Sequence, residues 1–339
     1  MADVHPNDRS GRSGYQLGNR DTMHDVIDRP GGLTRDHVRW AYRLLLDRDP
    51  ENEDVIGPKL AGSRDTRELR NHLITSAEFL EKNPDYARTN ERTIVIKEIG
   101  PREACVRLFV DLSDHVIGLN IIRGSYERDE IEFVRRLLKP GDITVDVGAH
   151  IGFFTIQMAA MVGPGGRVYA FEPLDANAEL LDRAICENRF EERVVFQRAA
   201  VGAASGSAAL TFAAETLNSG GAYLLRDGTA PLTGNVVRKV AVVALDEIHL
   251  PHPVRFIKMD VEGAEPQVLR GAERILKEDR PLILSELHPA QLERTSGITP
   301  DEFLAQVRGI GYRAQDLRGA PIDRAPADAM VLIVLVPLG

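Results

Sequence analysis

The stretch VDVGAHIGFF (residues 145–154) sets an aspartate, Asp146, two residues before the first of two glycines spaced G-x-x-x-G, Gly148 and Gly152. Glycines let a backbone turn tightly and approach a ligand, and a helix beginning after the turn offers free N–H groups to an anion. A dinucleotide would use them for its pyrophosphate. The spacing is not G-x-G-x-x-G, however, and the carboxylate of Asp146 would repel a pyrophosphate at close range. An acidic wall suits a cationic ligand. S-adenosylmethionine carries a sulfonium, an ammonium and a single carboxylate, and Asp146 can meet its amino-acid end directly or through water. YAFEP (169–173) then puts Glu172 at the end of the next apolar run, where α/β nucleoside sites hold a ribose and a carboxylate can accept from both hydroxyls.

In IKMDVEGAE (257–265), Lys258, Asp260 and Glu262 alternate with Met259 and Val261. A strand continued through them gathers one cation and two carboxylates on one face. Glu265 and Pro266 suit the first turn of a following helix, which gives Glu265 a structural or substrate-orienting part. Were the methyl group of such a cofactor passed to a hydroxyl oxygen, the in-line displacement would need alignment and loss of the hydroxyl proton. Asp260 is the first candidate to bind or deprotonate the hydroxyl, with Glu262 raising its basicity and Lys258 opposing that shift. SELHP (285–289) brings Glu286 and His288 to the same edge; His288 has an intrinsic pKa suited to a base near neutrality, and Glu286 positions the substrate or His288. The plainer alternatives are a strand-end salt-bridge network and a hydrogen-bonded structural histidine. Asp260, Glu262 and Glu286 could hold magnesium, but they serve equally without one, and no metal is expected.

Positioning these side chains requires a regular alternation of elements. ITVDVG (143–148), GRVYAFEP (166–173), VVFQRAAVG (194–202), VRFIKMD (254–260) and PLILSELHP (281–289) read as strands. Helical patterns follow Gly152, span 175–188, and place Val268, Leu269, Ala272, Ile275 and Leu276 on one face. Such repetition means a mostly parallel sheet covered on both faces. YRAQDL (312–317) and MVLIVLV (330–336), with a helix over 300–310 before them and none between, finish it as an antiparallel hairpin, giving seven strands in a Rossmann-like α/β fold. A β-rich interlude over 209–245 contains Asn218-Ser219-Gly220-Gly221, either a hairpin turn or a substrate loop, and acceptor specificity could reside there. Upstream, TIVIKEI and VRLFVDL read as strands, and GSYERDEIEFVRRLLKPGD (124–142) gives a helix with Ile131, Val134, Leu137 and Leu138 inward, stopped by Lys139-Pro140-Gly141. Nearer the start, Thr34 can cap a helix bearing Val38, Ala41, Tyr42 and Leu45, and a second begins near Thr66 with Leu69, Leu73, Ala77 and Leu80. Together they make a small helical domain over 33–86.

VDVGAHIGFFT, YAFEP, VRFIKMDVEGAEPQVLRGA and LILSELHP resemble the FkbM family of S-adenosylmethionine-dependent methyltransferases over about 126–312, with IKMDVEGAE the most diagnostic piece. The resemblance implies a class I methyltransferase domain over 93–339 with S-adenosyl-L-methionine as cofactor. It also implies O-methylation of a hydroxyl on a sugar, glycolipid or polyketide-type metabolite. Tyr126 and Glu127 fall where the family folds over its cofactor, and His150 stands where the family usually has asparagine. The expected cofactor set is Tyr126, Asp146, Gly148, His150, Gly152, Glu172 and Asp260; the expected catalytic set is Asp260, His288, Lys258 and Glu262. An NAD-dependent oxidoreductase is the competing enzyme, disfavoured by Asp146 and the missing third glycine. A scaffold with a decayed cofactor domain is the non-enzyme alternative. The N-terminal domain, through VRWAYRLLLDRDPENEDV and HLITSAEFL, resembles a small bacterial domain of uncharacterised function and implies no activity.

With 339 residues and a net charge of -9, the chain has room for two domains and lacks a basic nucleic-acid footprint. Residues 1–32 read as a polar, disordered leader without a signal sequence. No run approaches the roughly eighteen apolar residues of a membrane span, so a cytoplasmic enzyme is expected, with a small-molecule or glycan acceptor and with a homodimer allowed. Cys105 and Cys186 lack metal or redox spacing and are expected as buried free thiols.

Overall fold

The computed structural model describes residues 33–63, 65–74, 76–82, 93–101, 105–114, 116–213, 219–324 and 329–339. The leader and Asn218 lie outside the described residues. The chain divides into two compact units, 1–89 and 90–339.

The first unit contains α1 (Arg35–Leu46), α2 (Glu53–Ala61), α3 (Thr66–Ile74) and α4 (Ala77–Lys82). Thr34 caps α1, its side chain accepting from the His37 N–H. The inward face of α1 is Val38, Tyr42 and Leu46, closed by Ile56, Leu69, Leu73 and Phe79. Two helices were expected here. The additional α2 carries Gly57 and Pro58 in its interior, the residue types that mask a helix in sequence.

In the second unit, β1 (Ile94–Ile99) and β2 (Val106–Asp111) form an antiparallel pair. After α5 (Ile117–Arg123) and α6 (Arg128–Leu137) come β3 (Ile143–Val147), α7 (Phe153–Val162), β4 (Arg167–Phe171), α8 (Asp175–Asn188) and β5 (Val194–Gln197). The interlude supplies β6 (Ala200–Val201), β7 (Gly206–Ala213), β8 (Tyr223–Leu224) and β9 (Asn235–Val243). The chain then returns through β10 (Val254–Met259), α9 (Glu265–Arg270), α10 (Glu273–Glu278) and β11 (Leu282–Leu287). It ends in α11 (Pro289–Ser296), α12 (Pro300–Gly309), β12 (Tyr312–Gln315) and β13 (Val331–Pro337).

The main sheet has seven strands in the order β12-β13-β11-β10-β3-β4-β5. β13 alone runs opposite to the other six strands, pairing antiparallel with β11 and β12, as the closing hairpin predicts. One face packs β2 and α6 to α8 through Val134, Ile156 and Leu181; the other packs α9, α10 and α12 through Val268, Ile275 and Phe303. With both faces covered, β3 and β4 can be continuous apolar runs. The strand order reverses between β3 and β10, so the crevice beyond their carboxyl ends is where such a sheet takes ligands.

Three expected elements are divided. The helix expected from Thr66 to Leu80 is split into α3, ending at Ile74, and α4, starting at Ala77. VVFQRAAVG is not one strand: β5 joins the main sheet, and β6 pairs with β9 in a second, four-stranded sheet. The helix after IKMDVEGAE breaks at Gly271, where a Cβ would lie 2.0 Å from the Gly202 carbonyl oxygen, and the Asp246 carboxylate accepts from the N–H groups of Arg274 and Ile275. Both cysteines are exposed rather than buried. Cys186 lies outside the inward face of α8, which is Ala178, Leu181 and Ile185, and Cys105 precedes β2. Among the described residues no helix is long and apolar enough to cross a membrane.

Candidate active site

The turn after β3 is built around left-handed backbone. Gly148 has φ +81, and a Cβ there would lie 1.9 Å from the Asp260 carbonyl oxygen. Only glycine lets the tips of β3 and β10 come this close, and the Asp260 N–H donates to the Val147 carbonyl at 3.0 Å. The N–H groups of Gly148 and Ala149 both donate to the Phe171 carbonyl, at 3.0 and 2.9 Å, which binds the turn to the tip of β4. His150 has φ +52, and its N–H donates to Glu172 Oε2 at 2.9 Å. The turn and the candidate ribose carboxylate are therefore one hydrogen-bonded unit.

A cavity of about 370 Å³ opens over these tips. Tyr126, Gly148, His150, Glu172, Asp260 and Glu262 line it, six of the residues expected from sequence. Four others stand outside its wall. Asp146 is 1% exposed and accepts from Thr155 Oγ1 at 2.5 Å. Gly152 caps α7 at φ +91, packed so closely that a Cβ would lie 2.5 Å from Leu181 Cδ1. Lys258 is 3% exposed, with Nζ 3.2 Å from Asp260 Oδ2 and 5.0 Å from the Phe154 ring centroid. His288 caps α11, and its Nδ1 is buried without a hydrogen-bond partner among the described residues.

The expected alternation through Glu262 stops at Met259, because the chain leaves the strand in a turn after β10. Glu262 has φ +54, receives a hydrogen bond from Gln291 Nε2 and lies 3.9 Å from Arg294. Glu265 is buried, and its Oε1 accepts from the N–H groups of Val261 and Gly263 at 3.4 Å. It closes the turn that presents Asp260 and Glu262.

Burial dominates the electrostatics. It pushes Glu172 up to about 7, against hydrogen bonds donated by Leu174, His150 and Asn177, and Asp146 up to about 6 despite Thr155. Glu265 rises to about 7 by burial, helped by the charge of Asp260. Glu262 and Glu286 each rise to about 8, through burial and then through Asp260. Burial alone would lower the pKa of Lys258, but the surrounding carboxylates, led by Asp260, raise it. Burial lowers His150 to about 4, opposed by Asp114 and Asp260, so its imidazole is neutral. The lysine thus remains an ammonium held beneath an acidic cavity floor.

Tyr126 meets Phe153 edge-on, ring centroids 5.0 Å apart, at the cavity wall. One polar lining residue, Asn177, was missing from the sequence reading, and Glu127, named there beside Tyr126, was given no role of its own. Glu127 sits at φ +40, and its Oε2 is buried without a partner. Asn177 is 2% exposed with an unpartnered Oδ1. Its signal is positional: it is in the first turn of α8, five residues after Glu172, and that turn faces the crevice. Glu286 also lines the cavity, whereas His288, the expected base beside it, does not. An acidic cavity with unpartnered acceptors fits a ligand bearing positive centres and hydroxyl donors.

Residues 146–314 match the methyltransferase FkbM domain. The curated protein 31-O-demethyl-FK506 methyltransferase FkbM from Streptomyces tacrolimicus is 28% identical over 202 residues, which cover 52% of this chain and 74% of that one. The crystal structure of methyltransferase FkbM from Methylobacillus flagellatus KT aligns with 67% of this chain and 55% of its own, at a TM-score of 0.38 and 17% identity. This chain therefore spans little more than half of that structure. A TehB-like SAM-dependent methyltransferase from Corynebacterium glutamicum aligns with 65% of this chain and 92% of its own, at a TM-score of 0.37 and 10% identity.

Proposed function

As a member of the FkbM family of methyltransferases, with S-adenosylmethionine as its cofactor, this chain, we propose, moves the cofactor's methyl group to a hydroxyl oxygen of a sugar, glycolipid or polyketide-type metabolite. The observation that carries this reading is the continuity of one cavity from Glu172, past Gly148, to Asp260 and Glu286. A nucleoside held at Glu172 places its far end at the carboxylates.

Glu172 accepts from the ribose hydroxyls, its orientation fixed by the N–H groups of His150 and of Leu174, which donates at 2.8 Å. Asp146 acts from behind the wall, through Thr155 and the turn, and Tyr126 covers the methionine portion. The cofactor supplies an electrophilic methyl group on a sulfonium. In the displacement the acceptor oxygen forms a bond to that carbon, the carbon–sulfur bond breaks and its electron pair stays on sulfur as a thioether, and the hydroxyl proton leaves to a carboxylate. Asp260 is the group placed to receive it, at the strand tip beside the turn, with the Lys258 ammonium holding one of its oxygens. Much of the catalysis is alignment and exclusion of water, to which the second sheet contributes Leu210 and Leu224.

Calorimetric titration with S-adenosylhomocysteine tests the cofactor half. The folded wild type should bind one equivalent, and Glu172→Ala should weaken binding by about ten- to a hundredfold, the worth of one or two buried hydrogen bonds to a charged group. Unchanged affinity in Glu172→Ala would remove the ribose role. Turnover of labelled S-adenosylmethionine with hydroxyl-bearing, amine-bearing and thiol-bearing acceptors tests the other half. Transfer to nitrogen or sulfur alone would refute O-methylation.

A further inference from the structure

The Glu172 carboxylate has little acceptor capacity left for a ligand. A carboxylate offers about four lone-pair positions. Glu172 Oε1 accepts from the Leu174 N–H at 2.8 Å and Oε2 from the His150 N–H at 2.9 Å, and the Asn177 side chain donates to it as well. With about one position remaining, Glu172 alone cannot give full hydrogen bonds to both hydroxyls of a ribose. Asn177 has the missing acceptor. It stands in the first turn of α8, lines the cavity and is 2% exposed. Its amide nitrogen faces the Glu172 carboxylate, which would repel the amide oxygen, so Oδ1 points elsewhere. That oxygen is shut off from solvent and has no hydrogen-bond partner among the described residues. A buried amide oxygen left without a donor is costly, and native proteins keep one where something arrives to meet it.

We propose that the ribose diol of the cofactor is shared between two side chains, one hydroxyl donating to the remaining position of Glu172 and the other to Asn177 Oδ1. An amide oxygen has no proton to give, so its partner must be a donor. The nitrogen and oxygen of one amide are joined through a single carbon, and with the nitrogen on Glu172 the oxygen lies beside that carboxylate. This is where the second hydroxyl of a ribose falls when the first is held by Glu172. The adenine amine, the nucleoside's other donor, stands away from the diol. One acceptor for each hydroxyl makes the pair a reader of both, because an analogue lacking either leaves a buried oxygen unmet. That sharing rests on the ribose lying at Glu172 and does not depend on the acceptor of the methyl group. A hollow of about 10 Å³ next to the cavity, lined by Asn177 together with Asp114 and His150, is at the lower limit for one water. Such a water is the rival partner for Oδ1.

The full-length chain should be titrated calorimetrically with S-adenosylhomocysteine and with its 2′-deoxy and 3′-deoxy analogues. In the wild type, loss of either hydroxyl should weaken binding by about tenfold, as expected for one hydrogen bond to a buried group. Asn177→Ala should bind S-adenosylhomocysteine about tenfold more weakly and become indifferent, within about twofold, to the removal of one hydroxyl. Removal of the other should still cost it about tenfold, since only partners in contact couple. Glu172→Ala should show the opposite selectivity. Thermal melts report whether each variant has kept its fold, and Asn177→Ser, whose shorter side chain falls short of the ribose, replaces an Asn177→Ala that does not fold. An Asn177 variant that keeps both hydroxyl penalties would overturn the sharing, and Oδ1 would then hold the water in the hollow. A Glu172→Ala variant indifferent to both hydroxyls would also overturn it, because Glu172 would be holding the diol alone. Either result, in a wild type that binds S-adenosylhomocysteine, leaves the cofactor reading standing. A wild type that binds all three ligands equally would remove the ribose from Glu172 and from Asn177 together.

Discussion

His150 occupies a backbone position that explains its identity better than any contact of its ring does. At φ +52 the residue is left-handed, a region costly for most side chains but several-fold enriched in asparagine, aspartate and histidine. Histidine answers that backbone demand, as the asparagine implied by the family resemblance would, and the chemistry at that point is the main-chain N–H donated to Glu172. Glu172 was legible because it follows the tip of a strand, whereas Asp146, expected to meet the cofactor, is buried behind the cavity wall against Thr155. Glu127 was placed near the cofactor only through the family resemblance and Asn177 was not legible at all, because each comes to the cavity from a helix start whose orientation only the fold determines. The two candidate bases now separate on position. Asp260 lines the cavity and His288 does not. Asp260→Asn should lower kcat by about 10²- to 10⁴-fold, the usual contribution of general-base catalysis, with S-adenosylhomocysteine affinity kept within about threefold. His288→Ala should stay within about threefold of wild type on both measures. The opposite ranking in steady-state assays would move the base to β11.

Among the elements, periodicity found the core strands and the long helices but missed the places where a close approach divides a run. VVFQRAAVG is apolar throughout, and nothing in its pattern says that β5 and β6 belong to different sheets. The break between α9 and α10 comes from Gly271 lying against Gly202, a contact between segments far apart in sequence. α11 was also missed, being short and started by Pro289 directly after β11. Gly148 was legible as a turn, but its reason was not: it admits the Asp260 carbonyl rather than only freeing the chain. Gly148→Ala therefore meets two penalties, a left-handed φ of +81 and a Cβ placed 1.9 Å from a carbonyl oxygen. It should destabilise the protein by at least about 2 kcal/mol in urea unfolding. It should also abolish measurable S-adenosylhomocysteine binding at concentrations that saturate the wild type. Gly57→Ala, a helix-interior change with no atom within 4 Å of the added Cβ, is the matched control and should not reduce stability. Equal behaviour of the two variants would mean that the tips of β3 and β10 can separate without consequence.

At the scale of the whole molecule, the fold is organised around burying acids that it then needs a cationic ligand to satisfy. The mostly parallel seven-stranded architecture with its closing hairpin was legible from the succession of apolar runs, while the strand order and the degree of burial beneath the crevice were not. Glu172 and Glu265 have pKa values of about 7, and Asp146 about 6, against ordinary values of 4.5, 4.5 and 3.8. A carboxyl with a raised folded pKa holds its proton in the native state after the unfolded chain has lost it. The native state then binds more protons than the unfolded one, and stability falls as pH rises from about 4 to about 7. Glu262 and Glu286, raised to about 8, extend the fall to that pH, and His150, lowered from 6.5 to about 4, acts in the opposite direction over only the lower part of the window, as one group against the five carboxyls. Glu78, lowered to about 2 in the N-terminal unit, loses its contribution only below the ordinary glutamate range. The ligand-free protein in chelator should therefore show its melting temperature falling by several degrees between pH 5 and pH 8. Saturating S-adenosylmethionine should flatten that fall, because a ligand with two positive centres favours the ionised carboxylates and stabilises the native state most where they are charged. A melting temperature that rises over this interval without ligand would show that the buried acids are not protonated in the native state. The acidic cavity would then have to be neutralised from within the chain rather than by its cofactor.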